Sequence, residues 1–265
     1  MLIAEAQNWL DFPWHKMPWL FLAGLFAGFI NSVAGGGGMI TVPALLAFGL
    51  DIKTALGTNK LGATFGSCTA TINYVAKKQV TIKQNLFGVL LTAIGAAAGV
   101  FFTSSVAESV LKLVVPLAML GVLVYSILNR NLGMEESHQR VGKKVFYLMF
   151  GFALGFYDGF FGPGTGSFWI LAFMYFLGYE MRKATAGMKL MNFTSNLVSL
   201  CVYAILGFVK LPYGISIGLG QMVGAKIGSN LAVSRGARFI RPVYLGMIAI
   251  AIVYMIYKYF LANLF

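Results

Sequence analysis

Long apolar stretches separated by short charged ones make up almost the whole chain, and two of them are interrupted in the same way. The first runs from about residue 17 to residue 50 and is broken by the glycines at 35 to 38. A hydrocarbon core of ~30 Å needs about 20 helical residues. This stretch is too long for one span, and its glycines divide it in two. Apolar segments at about 54–76, 84–103 and 109–128 follow, the last containing Pro116. The polar stretch 129–144 then separates the halves. The second half repeats the plan, with a long segment at 145–177 broken between 162 and 166. Segments at about 185–208, 212–233 and 241–257 complete it, the last containing Pro242.

The two halves also match residue by residue. Gly28 aligns with Gly155, Asn31 with Asp158, Gly35 with Gly162 and Gly37 with Gly164, all at one offset. Further on, Lys60-Leu61 matches Lys189-Leu190, Tyr74 matches Tyr203, and Gly99 matches Gly224. The pattern predicts an all-α polytopic membrane protein of two repeats. Each repeat has a Gly-broken first segment, forming a hairpin, followed by three transmembrane helices. The units are residues 1–128, a linker at 129–144, and residues 145–265. A broken apolar segment recurring in corresponding places is a sequence pointer to a transporter site at a repeat interface.

Composition agrees with a membrane chain: 58% of the residues are hydrophobic and 11% charged, against roughly 25% charged in soluble domains. The net charge of +12 is read as basic residues in cytoplasmic loops, not as a nucleic-acid surface. If each broken segment returns to its starting side, Lys77, Lys78, Lys83, Arg130, Arg140, Lys143, Lys144, Arg182, Lys183, Arg235, Arg238 and Arg241 fall on one side. Lys16, Lys53, Lys112, Lys210 and Lys258 fall on the other. If each crosses once, the basic residues divide almost evenly. The charge rule therefore favours returning hairpins, inverted repeats, a cytoplasmic linker and both termini outside. Trp9, Trp14 and Trp19 fit an interfacial anchor, and no signal peptide is expected. Cys68 and Cys201 lie in apolar segments and imply no disulfide framework.

Glycine at a break allows backbone conformations with positive φ and frees the N–H groups of the following half-helix, which favour an anion. Half-helix starts after Gly38 and after Gly166 are expected to face one substrate, with Gly35, Gly36, Gly37, Gly162 and Gly164 shaping the breaks. Thr165 and Ser167 would add hydroxyl donors. Gly24-xxx-Gly28 and Gly151-xxx-Gly155-xxx-Gly159 read as helix-packing patterns. Lys60, beside Asn59, and Lys189 occupy equivalent places inside apolar segments. They either serve a site or snorkel to the interface. Asn192, Ser195 and Asn196 share a helical face, and Gln221 is a similar buried polar candidate. Asp158 is the first candidate for ion coupling, with half-helix capping or pairing to Lys60 or Lys189 as the structural alternatives. No catalytic set, nucleotide loop, cofactor motif or metal-ligand spacing is present.

The stretches Gly-Phe-Ile-Asn-Ser-Val-Ala-Gly-Gly-Gly-Gly (28–38), Thr-Asn-Lys-Leu (58–61), Gly-Phe-Tyr-Asp-Gly-Phe-Phe-Gly-Pro-Gly-Thr-Gly-Ser-Phe (155–168) and Gly-Gln-Met-Val-Gly-Ala-Lys-Ile-Gly-Ser (220–229) together resemble the TauE/SafE sulfite exporter family. This family is also called the toluenesulfonate uptake permeases, and the likeness is greatest to its YfcA-like branch. The resemblance covers nearly the whole chain. It implies a bacterial inner-membrane transporter of small sulfur-containing or organic anions such as sulfite, sulfonates or sulfoacetate. It supports Asn31, the glycine run, Asn59, Lys60, Asp158, Gly162, Gly164 and Lys189 as motif positions. Asn31 facing Asp158 in the alignment departs from exact symmetry. A secondary transporter working by alternating access, coupled to H+ or Na+, is the leading expectation. A passive anion channel and a non-transporting membrane scaffold are the alternatives. No cofactor, enzymatic activity or nucleic-acid partner is expected, and the oligomeric state is open, a homodimer included.

Overall fold

The computed structural model describes residues 14–103 and 133–256. Among these residues the fold is entirely helical. A short 3-10 turn at Trp14–Lys16 leads into α1 (Met17–Ala34), followed by α2 (Gly38–Ala47), α3 (Ile52–Ala76) and α4 (Leu86–Phe102). After the linker come α5 (Lys143–Phe160), α6 (Thr165–Leu177), α7 (Met181–Ile205), α8 (Leu211–Arg235) and α9 (Ala237–Ile256). The expected segment at 109–128, with Pro116, lies outside the described residues.

Both expected breaks are present. α1 and α2 are separated at 35–37, and α5 and α6 at 161–164. The second half-helix starts earlier than expected, at Thr165 and not after Gly166. Gly162 (φ 90°) and Gly164 (φ 87°) make the reversal on their own, leaving Gly166 inside the helix. At 1.5 Å per residue, the 18 residues of α1 and of α5 reach about 27 Å. The 10 residues of α2 reach about 15 Å and the 13 of α6 about 20 Å. The first arm of each hairpin is thus long enough to cross a hydrocarbon core, and the second is shorter.

Helix ends follow local chemistry. Asp51 caps α3, its carboxylate accepting from the N–H groups of Lys53 and Thr54 at 3.1 Å each. Gly178 (φ 67°) ends α6, and Pro212 sits in the first turn of α8, where its missing N–H removes no helical bond.

Packing depends on glycine seams. In α1, a Cβ on Gly24 would overlap the Ile217 carbonyl of α8, and one on Gly28 would overlap the Gln221 backbone. Gly220 and Gly224 of α8 press in turn on the carbonyls of Phe21 and Leu25. The same seam recurs between α4 and α5. There Gly95 and Gly99 meet the carbonyls of Phe152 and Phe156, while Gly155 and Gly159 meet those of Thr92 and Ala96. Close approach of backbones is what small residues give in lipid, where apolar side chains gain nothing by leaving the solvent. Each half lends its broken helix to the other half's seam.

α3 and α7 run antiparallel against each other at the centre. Gly57 lies against Tyr203 and Phe208, whereas the Thr71 hydroxyl donates to the Lys189 carbonyl at 3.1 Å. One end of the bundle gathers the α3–α4 turn, the linker and the start of α7. Ser137 N–H donates to the Gly178 carbonyl, and Met181 N–H to that of Gly133, at 2.8 Å each. Tyr147 at the start of α5 bonds Asn85 just before α4. Asn73 near the end of α3 donates to Ser229 near the end of α8 at 2.8 Å. Lys77, Lys78, Lys83, Arg140, Lys143, Arg182 and Arg235 therefore share that end, opposite Lys53 and Lys210.

Side chains are distributed inside out. Phe26, Leu90, Phe101, Leu148, Phe152 and Ile227 are exposed, while Lys60, Asp158 and Lys189 are buried. That is the arrangement a bilayer selects. By length and composition, Met17–Ala34 and Lys83–Phe102 are apolar enough to cross a membrane. α3 and α7 are longer, at 25 residues each, but carry the polar side chains of the interior. Trp14 and Trp19 are exposed at the start of α1.

Candidate functional site

The two breaks meet. A Cβ added to Gly35 (φ 81°) would lie 2.5 Å from the Gly166 Cα, and any side chain on Gly166 would overlap Gly35 in return. Only glycine lets these backbones touch. The contact brings the end of α1 and the start of α6 together, and α3 and α7 pass alongside with their lysines.

Both lysines cross to the other half. Lys60, on α3, donates through Nζ to the Asp158 carboxylate at 2.9 Å, to the Asp158 carbonyl at 2.6 Å and to Asn196 Oδ1 at 3.3 Å. Lys189, on α7, donates to Asn31 Oδ1 at 3.0 Å. Each lysine thus holds the polar residue near the end of the opposite half's broken helix. Lys60 is 2% exposed and Lys189 0%, so neither snorkels to the interface. Of the structural alternatives for Asp158, pairing with Lys60 is the one present. Its second carboxylate oxygen accepts from the Ser195 hydroxyl. A charged pair in this setting needs such extra bonds to offset desolvation.

The other candidate residues divide by surroundings. Asn59 is buried with its side-chain oxygen on the Thr41 hydroxyl, which also lies 3.2 Å from the Gly37 carbonyl. Gly38 stands beside Asn59 and Pro163, and Gly37 packs on the Asn31 side chain. A Cβ on Gly162 would sit 3.3 Å from Lys60 Nζ. Gly36 points elsewhere, against Met247 of α9. Thr165 donates its hydroxyl to the Gly162 carbonyl at 2.7 Å, and Ser167 lies 3.4 Å from the Ala34 carbonyl. Both hydroxyls thus brace the breaks. Among the described residues the buried side-chain oxygen of Asn192, one turn beyond Lys189, has no partner. Gln221 is 1% exposed, and among the described residues neither its side-chain nitrogen nor its oxygen has a partner.

The half-helix starts are partly self-satisfied. Met39 N–H donates to Gly36, and Ile40 and Thr41 N–H to Gly37, at 3.0–3.1 Å. Thr165 N–H turns back on Gly162, and Ser167 N–H on Gly164. A cavity of about 380 Å³ lies next to the first break but is apolar, lined by Phe29, Ile30, Met39, Pro242, Val243 and Met247 among others. The lysines lie in packed surroundings away from it.

The crossing of the lysines, the Thr41–Asn59 bond and the role of Ser195 as the carboxylate's donor had no signature in spacing. Thr41 follows the first break by one turn, which is the nearest thing to a signal.

The family model described as "Sulfite exporter TauE/SafE" matches residues 20–255. A Sinorhizobium protein named "Probable membrane transporter protein ORF9" is 43% identical over 232 residues, covering 88% of this chain and 89% of its own. "Probable membrane transporter protein YfcA" of Escherichia coli K12 is 40% identical over 223 residues, covering 84% and 83%. A Haemophilus influenzae protein named "Probable membrane transporter protein" is 37% identical over 238 residues, covering 90% and 93%. No solved structure matches the chain.

Proposed function

The chain belongs to the TauE/SafE sulfite exporter family, and on that footing we propose that it is a secondary transporter of a small sulfur-containing or organic anion such as sulfite, a sulfonate or sulfoacetate. The observation that carries this reading is the crossed pair of buried lysines at the meeting of the two breaks. Buried ionisable side chains inside spans are costly and mark substrate or ion pathways. Two ammonium groups here outnumber the one carboxylate and favour a negative substrate.

The two halves act as inverted repeats that rock against each other in alternating access. The antiparallel course of α3 and α7, and the seams in which each half holds the other's broken helix, support this. Asp158, held by Lys60 and Ser195, is the residue through which a proton or sodium ion would be coupled. The lysine- and arginine-rich end faces the cytoplasm, by the charge rule for short loops, and the membrane is the bacterial inner membrane.

Binding tests this in detergent solution. Thermal unfolding of the purified protein is followed against sulfite, sulfate, thiosulfate, sulfoacetate, taurine and aromatic sulfonates, with chloride as control. A ligand at 100 times its Kd stabilises the folded state by about 2.7 kcal/mol. A sulfur oxyanion that raises the midpoint above chloride is the expected result. A flat response across the panel would remove the reading.

A further inference from the structure

The two lysine sites are related by the repeat, yet they are not electrically equivalent. Lys60 faces a carboxylate at 2.9 Å. Lys189 occupies the matching place in the other half and faces the neutral amide of Asn31 at 3.0 Å. Among the described residues the buried Lys, Arg, Asp and Glu side chains are these two lysines and Asp158, so their basic groups outnumber their carboxylates by one. A buried ammonium bonded only to a neutral amide is unfavourable by more than that bond returns, and a bound anion would offset it.

A second, independent observation lies in the same half. Asp158 is completed by the Ser195 hydroxyl. The residue standing six places after Lys60, as Ser195 stands after Lys189, is Gly66, and it offers no donor to Asn31. The space is taken by Gln221, whose Oε1 would lie 2.7 Å from a Cβ on Gly66. Gln221 packs on Gly28, one turn from Asn31 along α1. Among the described residues its buried amide has no partner for either polar atom, and the side-chain oxygen of Asn192 beside Lys189 has none. Buried polar groups are nearly always satisfied, and orphans mark a missing partner.

Resting on the transporter reading above, the geometry points to Lys189 as the residue that takes the substrate's charge, with the Gln221 amide as a neighbouring donor. The substrate is accordingly singly charged: a sulfonate or hydrogen sulfite, not a dianion such as sulfate. Lys60 and Asp158 form a closed neutral pair that holds the halves together and does not take the anion. One positive charge is left for one negative charge.

The test copies one half of the molecule into the other. Asn31→Asp would give Lys189 the carboxylate that Lys60 already has, in a nearly isosteric change, and so fill the charge vacancy. Calorimetric titration of the full-length protein uses methanesulfonate as the monoanion and sulfate as the dianion. The wild type is expected to bind methanesulfonate in preference to sulfate, and Asn31→Asp to lose methanesulfonate affinity by at least about tenfold. Should Asn31→Asp not fold, the contrast of Lys189→Met with Lys53→Met, an exposed lysine at the start of α3, replaces it. The first is expected to lose binding and the second, which removes a charge outside the interior, to retain it. Methanesulfonate binding unchanged by Asn31→Asp, or kept in Lys189→Met, would overturn the assignment while leaving an anion transporter standing. A wild type that binds sulfate more tightly than methanesulfonate would overturn the single-charge claim. A wild type that binds neither anion would take down both this inference and the function it rests on.

Discussion

At the scale of single residues, the interior contains two kinds of polar group, and they respond to substitution in opposite directions. Lys60 and Asp158 are mutually satisfied. Removing one leaves the other buried and charged, so Lys60→Ala is expected to destabilise the fold by about 3–5 kcal/mol. Thermal unfolding in detergent measures this. The double change Lys60→Met/Asp158→Asn should recover most of the loss, since no orphan charge remains. Failure of the double change to recover would mean that the pair's other bonds matter more than its charge. Gln221 is the converse case. Among the described residues its buried amide has no hydrogen-bond partner. Gln221→Leu is expected to be neutral or to raise stability by up to about 1–3 kcal/mol while anion binding weakens. A strongly destabilised variant would show that the amide has a structural partner.

At the scale of elements, the seams and caps hold the helices in register. Gly99→Val and Gly224→Val place a side chain where the partner's carbonyl lies, and each is expected to cost about 1–3 kcal/mol or more by overpacking. Gly246→Val is the control, since among the described residues nothing lies within 4 Å of its added Cβ. Equal effects at all three would contradict the seam account. Asp51→Ala should cost about 1 kcal/mol through loss of the α3 cap. Hydrogen bonds from Thr54, and from the Lys53 N–H, hold the Asp51 carboxyl below the usual carboxylate range. The cap's contribution is therefore complete at neutral pH and fades as pH falls through the acid range.

The helices, the two breaks and the paired lysines were legible in the sequence because each leaves a local mark. A glycine run interrupts an apolar stretch, and a lysine within one is conspicuous. The partners of those residues were not legible. Which carboxylate Lys60 meets depends on α5 packing beside α3 across the halves, and no local spacing encodes that. Thr165 and Ser167 read as site hydroxyls because they follow a break, but in the fold they turn to the backbone carbonyls of Gly162 and Ala34. Gly36, within the same run as Gly35, turns instead to α9. The run as a whole was recognisable, but the direction of each member was not.

At the scale of the whole molecule, most of the described basic residues outside the interior collect at one end of the bundle, and the exposed surface between the ends is largely apolar. In the proposed orientation that end is cytoplasmic. His138→Cys in the linker, in a background lacking Cys68 and Cys201, should react with a membrane-impermeant maleimide only after the cells are permeabilised. Labelling of intact cells would reverse the orientation. In the proposed mechanism the molecule moves an anion through the meeting point of its halves, using Lys189. Purified protein reconstituted in liposomes, loaded with unlabelled methanesulfonate and given radiolabelled methanesulfonate outside, tests it most directly. The label is expected to accumulate above the outside concentration by exchange, and Lys189→Met to abolish this. Liposomes that gain no label above protein-free controls, or a Lys189→Met variant that accumulates it as the wild type does, would contradict it.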